Sequence, residues 1–161
     1  MGYCATQRDS EFTIKAENKA PALNAIKRLM DQANGMGNGG TRDQRHFSWV
    51  DTQAVIDSTS LFEALSEWGY DTSIDDEGNL NRVMFVAEKL GQEYEMWKAI
   101  APFVEPNSFI VMDGEDGCTW RWYFNGSECL EQEGRVVFGD ETPVDPVEAL
   151  LKNERIIPED Y

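Results

Sequence analysis

Hydrophobic and polar positions change period several times along this chain, and each change marks an element. Strict alternation, which places successive side chains on opposite faces of a strand, is clearest between Ser108 and Gly126. Residues 109–112 and 118–124 are rich in β-branched and aromatic side chains, which suit a pleated, half-buried surface. Between them Asp113-Gly114-Glu115-Asp116-Gly117 reads as a turn, and Asn125-Gly126 is a strong hairpin signal. The stretch predicts a three-strand meander with its third strand near 127–132. In the middle strand Trp120, Trp122 and Phe124 share one face, which needs a large cover. Thr119, Arg121 and Tyr123 share the other.

Helical spacing, with apolar residues three and four apart, appears in three places. Over 20–33 Leu23, Ile26, Met30 and Ala33 form a stripe beside Ala22, Ala25 and Leu29, with Pro21 in the first turn. Over 60–68 Ser60 and Glu63 form a capping box, Leu61, Ala64, Leu65 and Trp68 form the buried stripe, and Gly69 ends the helix. Over 92–104 Tyr94, Trp97, Ile100, Ala101 and Val104 line one side, and Pro102 ends or kinks the helix. Shorter strands are predicted at 3–7, 12–14, 47–50, 70–74, 80–87 and 135–138, and a short helix begins at Asp145-Pro146. This order predicts an α+β fold: a largely antiparallel sheet with helices packed on one face, a ferredoxin-like arrangement being one candidate. The length suits a single domain over 1–161, interrupted by a flexible glycine loop at 34–40 and ending in an acidic tail, 139–161.

Charge changes the picture most. Fourteen Lys and Arg face thirty Asp and Glu, a net charge of −16. Residues 1–56 carry +1, residues 57–106 carry −8 and residues 107–161 carry −9. Such a field repels nucleic acid and attracts basic surfaces. The exposed carboxylates expected to meet a partner are those of two turns: Asp75, Asp76 and Glu77 in one, Glu115 and Asp116 in the other. Arg42, Arg45 and His46, next to the glycine loop, form a locally basic patch and a secondary candidate. The loop lacks the Gly-Lys-Ser/Thr sequence of a phosphate-binding loop. The single histidine has no evident nucleophile or carboxylate partner, so no catalytic residue is expected.

Neither acidic turn completes a calcium loop. Asp71, Ser73 and Asp75 hold the first, third and fifth positions, but Asp76 replaces the required glycine and Arg82 the closing glutamate. Counting from Asp113, the twelfth position is Phe124. No metal and no cofactor are expected. A two-residue turn at Asn125-Gly126 would set Cys129 opposite Trp122 and Cys118 opposite Glu133, out of reach of each other. With Cys4 they are expected to be free thiols of a reducing cytoplasm. The N-terminus does not read as a signal peptide and no apolar run is long enough to span a membrane.

The segments Ala87-Glu88-Lys89-Leu90-Gly91, Ala99-Ile100-Ala101-Pro102-Phe103-Val104, Gly114-Glu115-Asp116-Gly117 and Trp120-Arg121-Trp122 together resemble small acidic proteins carried by phages and mobile elements, some described as ferredoxin-like. Gly2-Tyr3-Cys4-Ala5-Thr6-Gln7 and Phe47-Ser48-Trp49-Val50 resemble the same group, whereas the glycine loop and the tail after Phe138 lie outside it. The resemblance implies a non-catalytic inhibitor in a bacterial host, anti-CRISPR-like, that binds a basic, nucleic-acid-handling surface of a defence complex without itself binding nucleic acid or membrane. A self-associating accessory phage protein is the alternative, and a small-molecule or nucleotide enzyme a more distant one.

Overall fold

The computed structural model describes residues 2–33 and 47–141. Arg42, Arg45, His46, the glycine loop 34–40, the helix expected at Asp145-Pro146 and all of the tail beyond Glu141 lie outside the described residues.

Strand β1 (Tyr3–Glu11) is the spine. The strand expected at 3–7 extends to Glu11, and no strand forms at 12–14, where Ile14 alone makes an isolated bridge to Leu80. Helix α1 (Ala16–Ala33) follows and buries Ala22, Ala25, Ile26 and Met30. It starts earlier than its own sequence suggests, because the Asn79 side-chain carbonyl accepts the Ala16 N–H at 2.9 Å. That cap satisfies one of the orphan donors of the first turn from sixty-three residues away. Pro21 therefore sits inside the helix rather than in its first turn.

Helix α2 (Thr52–Asp57), which no strong periodicity announces, is capped by the Asp51 carboxylate on the Ala54 N–H. Residues 47–50, expected as a strand, are a turn in which Trp49 takes φ 68°, a conformation incompatible with a strand. Helix α3 (Leu61–Glu67) has the expected Ser60 cap, donated to by the Glu63 N–H at 3.2 Å. Then come β2 (Tyr70–Ile74), β3 (Leu80–Phe85), a short β4 (Lys89–Leu90) and α4 (Glu93–Ile100), which tightens into a 3₁₀ turn at Ala101–Phe103 around Pro102. The three strands of the meander form as expected, β5 (Ser108–Gly114), β6 (Thr119–Phe124) and β7 (Cys129–Glu133), all antiparallel, but β7 is shifted by two residues so that Cys129 faces Phe124 and Glu133 faces Trp120. No strand forms at 135–138, where Val136, Val137 and Phe138 face solvent.

The five-stranded sheet runs β4-β1-β5-β6-β7, and β2-β3 form a separate pair. These two sheets are nearly one. The β3–β4 segment follows β1 antiparallel, touching it at Ile14–Leu80 below and at Cys4–Lys89 and Tyr3–Leu90 above. Between those points β1 and β3 form no ladder, and β1 carries a register shift against β5 between Gln7 and Asp9. There the Gln7 amide replaces a strand: its Nε2 donates to the Val83 carbonyl at 3.0 Å and its Oε1 accepts from the Phe85 N–H at 2.9 Å. The order of the main elements is compatible with a ferredoxin-like arrangement extended by a hairpin.

The helices cover one face, and the core lies beneath them. Trp97 of α4 is fully buried, with ring centroids of Tyr70, Phe12, Phe124 and Trp122 at 5.0, 5.5, 6.0 and 6.1 Å. Trp122 and Phe124 are buried, while Trp120 is only partly so, packing between Tyr3 and Trp122. The opposite face is open: Arg121 lies over the rings of Tyr123 and Phe109, and Arg8 pairs with Asp113 at 2.8 Å.

Candidate functional site

The two acidic turns are built by different rules. In the β2–β3 turn, Asp75 points back into the loop. Its Oδ1 accepts from the Glu77 and Asn79 N–H groups, both at 2.9 Å, and its Oδ2 accepts from the Asn79 amide at 3.2 Å. Partial burial opposes ionisation, but the Asn79 and Glu77 hydrogen bonds outweigh it and hold the carboxyl below its ordinary value. Asp75 is therefore occupied by the turn itself. Asp76 and Glu77 are exposed at the tip.

In the β5–β6 turn the carboxylates tie down the start of β1. Asp116 Oδ1 accepts from the Tyr3 hydroxyl at 2.6 Å and from the Cys118 N–H at 3.1 Å. The Tyr3 bond holds the Asp116 carboxyl below its usual range, and the same bond pushes the Tyr3 phenol up to about 12. Glu115 Oε1 accepts from the Cys4 N–H at 3.2 Å, and the Glu115 N–H donates to the Cys4 carbonyl at 2.9 Å. Gly114 allows this closeness: a Cβ there would overlap the Tyr3 hydroxyl. The sequence gives no sign of Tyr3 in this role, since its partner lies 113 residues away.

Beside this turn is an open cleft of about 380 Å³ along Cys4, Ala5 and Thr6, walled by Ala87-Glu88 on one side and Gly114-Glu115 on the other. Glu88 reaches the Cys4 thiol, with Sγ 3.8 Å from its Oε1. Burial first, then Glu115 and Glu88, push that thiol up, and hydrogen bonding to Asp116 pushes Cys118 up. Thiolate character is what makes a cysteine a nucleophile, and both thiols are moved away from it. Glu88 lies in the Ala87–Gly91 segment of the phage-protein resemblance, but nothing in the sequence singles it out as a partner of Cys4.

The turns do not form one surface. One flanks Ala5, the other abuts Ile14 through Leu80, and the nine-residue step between those points, mostly along β1, spans up to about 30 Å. What they share is unneutralised charge. Three ion pairs exist among the described residues: Arg8–Asp113, Lys15–Glu105 and Lys98–Glu95. Asp75, Asp76, Glu77, Glu115 and Asp116 belong to none of them. Among the described residues no three His, Cys, Asp or Glu side chains converge in a way that could hold a metal ion, and no helix is long and apolar enough to cross a membrane.

Comparison with protein-family models, with curated proteins and with solved structures finds no match to this chain.

Proposed function

We propose that this chain is a non-catalytic binding protein whose acidic surface docks on a basic, nucleic-acid-handling surface, as an inhibitor of a bacterial defence complex would. The observation that carries the reading is the lack of internal neutralisation: a net charge of −16 with three ion pairs among the described residues. Carboxylates that meet no internal cation keep their field available to an external one. The thiols near the cleft are held protonated rather than activated, which favours binding over covalent chemistry. The phage-protein resemblance is what points to defence systems.

The test is gel filtration and surface-plasmon binding with a purified CRISPR effector ribonucleoprotein, with and without its nucleic acid. A complex that competes with nucleic acid, and whose on-rate falls steeply with salt, supports the reading. A protein that ignores basic surfaces at low salt refutes it. One observation favours the self-associating alternative: Val136, Val137 and Phe138 are 81%, 77% and 89% exposed. A concentration-dependent mass for the protein alone, abolished by Val137→Asp, would select it.

A further inference from the structure

An apolar groove of about 220 Å³ lies between α1, the start of α3 and the β2–β3 hairpin, lined by Leu23, Leu61, Phe62, Thr72, Ile74 and Leu80. Phe62 and Ile74, two large apolar residues of this lining, are 49% and 53% exposed. The Thr72 hydroxyl is buried in the lining without a hydrogen-bond partner among the described residues. β2 pairs with β3 alone and is the terminal strand of its sheet, so alternate backbone groups along Tyr70–Ile74 have no strand beside them.

The charge around this edge is predominantly acidic, although Arg82 lies on β3 opposite Ser73 and is exposed. Between Arg45 and Arg82 the sequence contains no Lys or Arg and eight Asp or Glu. Glu63 and Glu67 on α3, Asp71 on β2, and Asp76 and Glu77 at the turn are all exposed. Lys19 is the only cation among the described residues lining the groove. A free edge selects an extended backbone, the groove selects a large apolar side chain, and the surround selects cations. We infer that this edge is a peptide-docking site whose occupant is an extended basic segment of the partner. That segment adds as a strand to β2, places an apolar side chain against Phe62 and Ile74, and directs Lys or Arg to Asp71, Asp76 and Glu77. The inference rests on the acidic-binder reading and deepens it, naming which of the two distant acidic turns the partner meets. A second copy of this chain fits poorly, since each copy carries −16 and its own exposed apolar segment is followed by Asp140 and Glu141.

The test uses the full-length protein and three short fluorescein-labelled peptides: Lys alternating with Val and Ile, the same with Ala at the apolar positions, and the same with Glu for Lys. Anisotropy gives affinity, and amide shifts in NMR spectra locate the peptide. The Lys/Val/Ile peptide should bind and shift residues 70–74. The Ala peptide should bind about tenfold more weakly, the worth of one well-buried apolar side chain, and the Glu peptide should not bind. Phe62→Ser and Ile74→Asp should each weaken binding by about the same factor. Asp76→Lys with Glu77→Lys should weaken it and flatten its salt dependence, and Glu128→Lys, an exposed carboxylate on the β6–β7 turn, should leave it unchanged. All these side chains are exposed, and an unchanged melting temperature verifies the fold of each variant. Equal binding of the Ala peptide, insensitivity to Phe62→Ser and Ile74→Asp, or failure of the Lys/Val/Ile peptide to bind overturns the inference. Shifts confined to 113–118 overturn it while leaving the acidic-binder reading standing, whereas failure to bind any basic surface removes both.

Discussion

Trp122 shows how one side chain reports the packing of the whole face. Its ring stacks at a tilt on Trp97, and its indole N–H donates to Glu131 at 2.9 Å, so both its apolar body and its polar atom are satisfied. Trp122→Ala should cost about 3–5 kcal/mol in chemical denaturation, the usual range for a buried large aromatic. A loss below about 1 kcal/mol would mean that the helices do not cover this face. Glu93 behaves in the opposite sense. It is 3% exposed, Oε1 accepts from the Gly91 N–H at 2.7 Å, and Oε2 is buried without a partner among the described residues. Burial pushes its carboxyl up to about 7 from an ordinary 4.5. Between those values the folded state binds the proton and the unfolded state does not, so this group's contribution to stability falls as pH rises through that window and then levels off. Glu93→Gln should therefore stabilise the protein at pH 8, by up to about 3 kcal/mol, and have little effect at pH 4. Denaturant titrations at the two pH values read the difference directly. A wild-type protein whose stability rises steadily from pH 5 to pH 7 by the same amount as the variant would show that Glu93 does not titrate there.

At the scale of elements, the turns explain which acidic residues are free to recognise anything. Asp75 is a structural acceptor, so Asp75→Ala should lower the melting temperature, whereas Asp76→Ala and Glu77→Ala should leave it unchanged within error. Binding tests by charge reversal belong at Asp76 and Glu77, because reversal at Asp75 would open the turn. The β6–β7 hairpin shows how a turn shifts a register. Gly126 takes φ +100°, the first central position of a tight turn, and the Asn125 side chain accepts from the Ser127 and Glu128 N–H groups. The reversal is therefore centred on Gly126-Ser127 rather than on Asn125-Gly126. Cys129 pairs with Phe124 instead of Trp122, and Trp120 with Glu133. The shift is two residues, so every side chain keeps its face. Cys129 is buried, with burial raising its thiol to about 12, and Cys118 is exposed. In the native protein a thiol reagent should modify Cys118 first and Cys129 only after denaturation; fast labelling of Cys129 would contradict the register.

For the whole molecule, charge sets the response to solvent. A net −16 with three ion pairs among the described residues makes the folded state repel itself. Raising ionic strength from about 0.01 M to about 0.15 M shortens the screening length from roughly 30 Å to roughly 8 Å, so the melting temperature should rise over that interval. The same change should slow association with a basic partner. Calorimetry across the salt series measures the first effect and stopped-flow mixing the second; a flat melting temperature would mean that the charges are spaced too widely to interact.

Most of the fold was legible in the chain itself because its causes are local. Alternation in 108–133 fixes the meander, Ser60 and Glu63 fix the start of α3, and helical spacing fixes the buried stripes of α1 and α4. Elements with distant causes were not legible. The start of α1 depends on Asn79, the continuity of β1 on β5, and the gap beside β1 on a Gln7 amide standing in for backbone. Residues 135–138 have strong strand propensity but no partner strand, and propensity without pairing leaves them outside any strand and exposed. The same division runs through the candidate site. Composition determined that the surface is acidic and where its carboxylates cluster along the chain. Only the tertiary structure decided that Asp75 and Asp116 serve the fold, that the two turns stand at opposite ends of β1, and that a free edge and an apolar groove lie beside one of them. Charge is a sum over residues and survives without coordinates, whereas a site is a distance between residues that only folding brings near.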